Sequence, residues 1–181
     1  MRNFVWIAGA LLVAACAEPK VEAPKPTVPT NLTRADCYTV ELFDPVEIEV
    51  AAEDVPPEYS RFLGDWHQGA WNGQWCHDLM VTKVHFDGRA EIFEMHAPFE
   101  PLGQPATAFR RVGRINENGE LRFAYGTETL TYTLVQGKLI AKRSGIHGDM
   151  QAVLTNRNAP ADPPEPRPTE AGVASEELSK L

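Results

Sequence analysis

The sequence predicts an all-β domain: about eight antiparallel strands in a meander, closed into a small barrel, with a two-sheet β-sandwich as the alternative. Three observations carry this. Between residues 61 and 156, strand-length alternations of apolar and polar residues recur, separated by short turns rich in Gly and Asn. No run of twelve residues in that stretch offers a helical stripe. A sheet of that size in 96 residues must also cover its apolar face, and closing on itself does so while removing both edges. Periodicity alone is shared by barrel and sandwich.

The elements follow in order. Thr39–Phe43 and Val46–Val50 alternate weakly, with Asp44-Pro45 between them. Residues 53–61 contain Pro56 and Pro57 and predict a short helical turn leading into the core. A first barrel strand lies near Phe62–Trp66. Leu79–Phe86 is a strand, Asp87-Gly88 a hairpin turn, and Arg89–His96 its return. Residues 97–105, with three prolines, form a loop. Ala106–Ile115 and Glu120–Tyr125 flank the Asn116–Gly119 turn. Glu128–Val135 and Lys138–Ser144 flank Gln136-Gly137, and Met150–Asn156 closes the set. Leu121, Phe123 and Tyr125 share one face; so do Leu130, Tyr132 and Leu134, and so do Met150, Ala152 and Leu154.

The 181-residue chain has 17 basic and 25 acidic side chains, a formal charge of −8. That argues against nucleic acid as a partner held by bulk electrostatics, which needs a basic surface. The acidity is uneven: residues 17–60 hold 3 basic and 10 acidic groups, residues 61–156 hold 10 of each, and residues 157–181 hold 3 and 5. The predicted domain is neutral. Residues 17–31 are Pro-rich and offer nothing to bury, so they read as a tether. Residues 157–181 have the composition of a disordered tail, and residues 32–60 form a pre-core segment.

Residues 1–16 have the form of an export signal: Arg2, a short apolar run from Phe4 to Leu12, then small residues. Val13-Ala14-Ala15-Cys16 resembles the bacterial lipoprotein box. The resemblance implies acylation of Cys16, which becomes the mature N-terminus and holds the protein on a lipid bilayer without a span. Ala17 at the next position implies export onward to the outer membrane, with the domain facing periplasm or cell surface. In that oxidising setting the two remaining cysteines, Cys37 and Cys76, are expected to pair and staple the pre-core segment to the domain. Closing a loop of roughly 40 residues contributes on the order of 4 kcal/mol in the chain-entropy model.

The segment from Gly64 to Cys76 holds Trp66, Trp71 and Trp75, the only tryptophans outside the signal. Gly64-x-Trp66 at the start of the first strand resembles the calycin pattern of lipocalins and avidins, a likeness extending over residues 61–156. It implies an antiparallel barrel that takes a small, often apolar ligand in its mouth or interior, with Trp66 closing the base. Gly-x-Trp recurs at 69–71 and 73–75, a departure from that pattern, and no ligand-binding residue of those families maps onto this chain. From the residues themselves, the tryptophans read first as core, Trp75 most securely because it adjoins Cys76. Trp71 is the one expected to face a ligand, because glycines surround it.

The remaining chemistry is sparse. His67, His77, His85, His96 and His147 lie in the domain at no metal-binding spacing and read as exposed or cap-forming, although His67 and His77 would meet if the tryptophan segment folded back. There is no GxSxG elbow and no obvious carboxylate pair, so nothing marks an enzyme, a metal or a cofactor. Arg110 and Arg114 share a strand face while Arg111 takes the other, a solvated face or a contact for an anionic polymer. The functional expectation is an envelope lipoprotein that binds a small apolar or glycan-like ligand, with Trp71, Trp66, His67, Arg110 and Arg114 as candidate contacts. The alternative is a structural or inhibitory lipoprotein whose partner is another envelope protein.

Overall fold

Eight strands joined by tight turns close into one antiparallel barrel in strand order β1 to β8, as seen in a computed structural model that describes residues 28–29, 31–42, 44–146 and 148–158. The strands are β1 (Gly64–Trp71), β2 (Trp75–Val84), β3 (Arg89–His96), β4 (Thr107–Ile115), β5 (Glu120–Tyr125), β6 (Glu128–Val135), β7 (Lys138–Ser144) and β8 (Met150–Asn156). The barrel is therefore the arrangement realised, and the sandwich is not. The signal, Cys16, nearly all of the tether, His147 and the tail beyond Asn158 lie outside the described residues.

Alternation places the core. Leu79, Val81, Ile92, Leu121, Leu130, Leu139 and Leu154 point inward and have no exposure. Each such side chain contributes roughly 1.5–3 kcal/mol on burial. One end, the base, is plugged. A short helix α1 (Pro57–Ser60) leads Phe62 into it, and the Trp66 indole N–H donates to the Phe62 carbonyl at 2.8 Å. Trp66 is 2% exposed there, so it belongs to the packing and not to a ligand surface.

Three differences from the expected strands have physical causes. Strand β1 is longer than expected because it absorbs a bulge: pairing with β2 slips between Trp66 and Gly69, and Gln68 takes φ 64°. The bulge needs Gly69, since a Cβ there would lie 2.7 Å from the His77 carbonyl oxygen. Strand β2 likewise begins at Trp75, four residues early, after a turn at residues 72–74. Residues 39–42 and 46–50 are not strands. They form a strap across the outside of β2, held where Thr39 Oγ1 donates to Asp78 at 2.7 Å and where the Glu49 N–H donates to the Thr82 carbonyl. The Cys37–Cys76 disulfide pins the strap, as the cysteine count predicts.

The barrel has two seams. Between β1 and β8 direct pairing covers only Trp66↔Asn156 and His67↔Thr155. Beyond them Leu32 fills the gap, its carbonyl accepting from Ala70 and Val153 N–H groups at 3.2 Å each. Between β4 and β5 pairing stops at Arg114↔Arg122. Nothing among the described residues completes it above that point.

Candidate functional site

Above the aliphatic layer the inward positions turn polar. The same parity that sends Ala90 and Ile92 inward on β3 sends Glu94 and His96 inward at its end, and β6 and β7 do the same with Glu128 and Arg143. Glu94 has no exposure, His96 is 3% exposed, Arg143 5% and Glu128 6%. Burying four such groups is costly unless they are paired. Glu94 is fully paired: His96 Nε2 donates to Oε1 at 2.9 Å and Arg111 Nε to Oε2 at 3.3 Å. Arg143 Nε donates to Glu128 Oε2 at 3.0 Å. Two carboxylates thus face two guanidiniums in this layer.

A file of stacked rings lies across β2 and β3. Centroids are 4.7 Å apart from Trp71 to His77, 4.8 Å from His77 to His96, 4.7 Å from His96 to Trp75 and 5.4 Å from Trp75 to Phe99. His77 has one proton arrangement that satisfies both neighbours. A carbonyl only accepts, so Nδ1–H donates to Met95 O at 3.2 Å and Nε2 accepts the Tyr132 hydroxyl proton at 2.9 Å. Burial first, then the adjacent His96, holds the His77 pKa well below the usual histidine value. Burial, then the Glu94 charge, pushes the Tyr125 hydroxyl up to about 12 and raises Tyr132 as well.

The mouth opens into a cavity of about 320 Å³ lined by Trp75, His96, Arg111, Tyr125, Glu128 and Arg143, with Phe109 at its rim. Three buried polar atoms of this lining have no partner among the described residues: His96 Nδ1, Glu128 Oε1 and Arg143 Nη1; Trp71 Nε1, deeper in, is a fourth. Gly145 leaves the space in which the Glu128 carboxylate sits, since a Cβ at that position would collide with it. Arg111 lies over the Phe109 ring at 4.5 Å and the Tyr125 ring at 4.2 Å, bridging β4 and β5 where their pairing has stopped.

A larger hollow of about 410 Å³ lies outside the barrel under the strap, beside His67 and Asp78. Two of its acids already have partners: Asp78 accepts from Thr39 and from the Gln68 N–H at 3.1 Å, and Asp65 pairs with Arg157 at 3.2 Å. Burial raises the Asp78 pKa. The barrel mouth, with its free donors and acceptors, is the better ligand site.

The five residues singled out from the sequence do not form one site. Trp71 is 1% exposed and stacked inside on His77, because the bulge at Gly69 turns it inward. Trp66 plugs the base. His67 lies on the outer face of β1, across the wall from His77, so the two histidines do not meet. Arg110 and Arg114 are on the outer face, where their strand parity puts them. Trp75, expected to be plain core, is buried but lines the mouth. His77 and His96, expected at the surface, are interior; the signal that finds them is their parity with Leu79 and Ile92. Among the described residues no group of three or more His, Cys, Asp or Glu is placed to hold a metal ion.

The fold and mouth thus define a class: a closed eight-stranded antiparallel meander barrel with a polar, partly unpaired layer at one open end. Compared with known proteins, the chain matches no family model, no curated sequence and no solved structure.

Proposed function

We propose that this protein is an envelope lipoprotein, calycin-like in its barrel, that binds a small glycan-like ligand at the mouth. The observation that carries the reading is the set of three unpartnered polar atoms around one cavity. A buried donor or acceptor left unmade costs about 1–3 kcal/mol. Three together weigh heavily against a domain stability of roughly 5–15 kcal/mol. The set is specific in kind. Arg143 Nη1 can only donate, Glu128 Oε1 accepts, and His96 Nδ1 donates or accepts according to where the ring carries its proton. A hydroxylated ring meets all three, because each hydroxyl both donates and accepts. A purely apolar ligand meets none, and a compact anion would face Glu128. The N-terminal segment with Cys16 supports the anchor.

The test is a titration with neutral and acidic mono- and disaccharides, read by tryptophan fluorescence from Trp75 and by calorimetry. Glu128→Gln keeps the shape and removes the charge, and it is expected to weaken binding about 10- to 100-fold, the worth of one hydrogen bond to a charged group. Binding that is unchanged in Glu128→Gln and in Arg143→Met would remove the mouth as the site.

A further inference from the structure

The outer wall carries a feature that the mouth does not use. Directly paired residues of an antiparallel sheet stand side by side on one face. From β3 onward the register runs Arg89↔Arg114, Arg114↔Arg122, Arg122↔Thr131, Thr131↔Lys142 and Lys142↔Gln151. Arg89, Arg114, Arg122 and Lys142 are all exposed. Four cations therefore form one row over five neighbouring strands, about 20 Å long at roughly 4.8 Å per strand. Like charges set directly opposite destabilise a sheet. Among the described residues none of the four makes an ion pair. Asp87 stands at the β3 end of the row, its carboxylate accepting the Arg89 backbone N–H at 3.1 Å. Glu120, near Arg122, accepts from Asn116 at 3.0 Å.

The charge is segregated. The strap holds six exposed acids between residues 41 and 54 and covers β2, while the row occupies β3 to β7. The chain also enters beside the row. Leu32 bonds to Val153, two residues from Gln151, and the Gln151 carbonyl accepts from the Asn72 N–H at 2.7 Å.

We propose that the row is a docking surface for the phosphate headgroups of an anionic bilayer leaflet, laying the barrel wall on the membrane that its N-terminus enters. This rests on the lipid-anchored reading above. Charge complementarity selects the occupant: the four exposed cations stand together on the wall from β3 to β7, while the six acids of the strap lie over β2.

The experiment uses the full chain in a Cys16→Ser background, so that binding stays reversible. Partition is measured onto vesicles of phosphatidylcholine alone and of phosphatidylcholine mixed with phosphatidylglycerol. The remaining N-terminal apolar segment contributes to both, and the ratio isolates the row. At low salt the ratio is expected to favour the anionic vesicles at least tenfold, since a cation near such a surface contributes about fivefold, and to fall as salt rises. Replacing all four, Arg89→Gln, Arg114→Gln, Arg122→Gln and Lys142→Gln, brings it close to one. Replacing Arg61 and Arg157, exposed cations outside the row, leaves it unchanged.

A ratio that survives the four replacements overturns the proposal. So does a need for the four cations in binding soluble dextran sulfate but not in vesicle retention. Near-UV circular dichroism verifies that the variants are folded. Acylation is read separately, by fatty-acid incorporation at Cys16 in the parent chain, so failure of the anchor and failure of the row give different results.

Discussion

His77 should make the barrel acid-sensitive by a calculable amount. Its ring is fully buried between Trp71 and His96 and bonded at both nitrogens, and burial holds its folded pKa well below 6.5. In the unfolded chain it titrates near 6.5. As pH falls through that value the unfolded state takes up a proton that the folded state refuses. Stability is therefore full above about pH 7 and declines below it. Between pH 7.5 and 5.5 the loss from this one group is on the order of 1 kcal/mol, and it continues with falling pH until the folded ring protonates. Asp78 acts with the opposite sign: its raised pKa adds stability below 3.8, which is lost as pH rises through the folded value. The assay is urea denaturation across this range, comparing the parent with His77→Phe/Tyr132→Phe, a pair that removes the ring and its hydroxyl partner together. The double variant should be less pH-dependent by on the order of 1 kcal/mol over the two units. Equal pH dependence in both proteins would refute a neutral buried His77.

Other outcomes follow from the same geometry. Replacing Cys37 and Cys76 by Ser frees the strap and is expected to lower stability on the order of 4 kcal/mol, read by denaturation of parent and variant. Gly145→Ala puts a methyl group where the Glu128 carboxylate sits; overpacking of this kind costs about 1–3 kcal/mol. It should also weaken saccharide binding, whereas Gly103→Ala, in an open loop at φ 61°, should leave binding alone. Cys16→Ser should abolish incorporation of labelled fatty acid into the protein.

The barrel was readable because strand parity is local. Five strands, Arg89–His96, Glu120–Tyr125, Glu128–Val135, Lys138–Ser144 and Met150–Asn156, fall at the bounds that their turns and alternation indicate. The first hairpin was not. Its bulge at Gly69 breaks the period of two, so the tryptophan segment does not alternate, and Trp71 gives no sign of which way it points. The strap alternates weakly yet pairs with nothing as a strand, because what holds it is a disulfide and a few isolated hydrogen bonds. The mouth was hidden for a different reason. Glu94, His96, Glu128 and Arg143 sit at strand ends and look like solvated termini, while closure brings the ends of β2, β3, β6 and β7 to one opening. Only the parity shared with Ile92, Leu130 and Ala141 shows them to be interior. The row of cations is equally non-local, since its members are neighbours through register and not through sequence.

The central claim is that the mouth exists to hold a small hydroxylated ligand against His96, Glu128 and Arg143. Native mass spectrometry of the protein released from envelope membranes in mild detergent tests it most directly. A discrete small-molecule adduct is expected on the parent chain and absent from Arg143→Met. A parent chain with no adduct and no response to the saccharide panel, or an adduct retained equally by Arg143→Met, contradicts it.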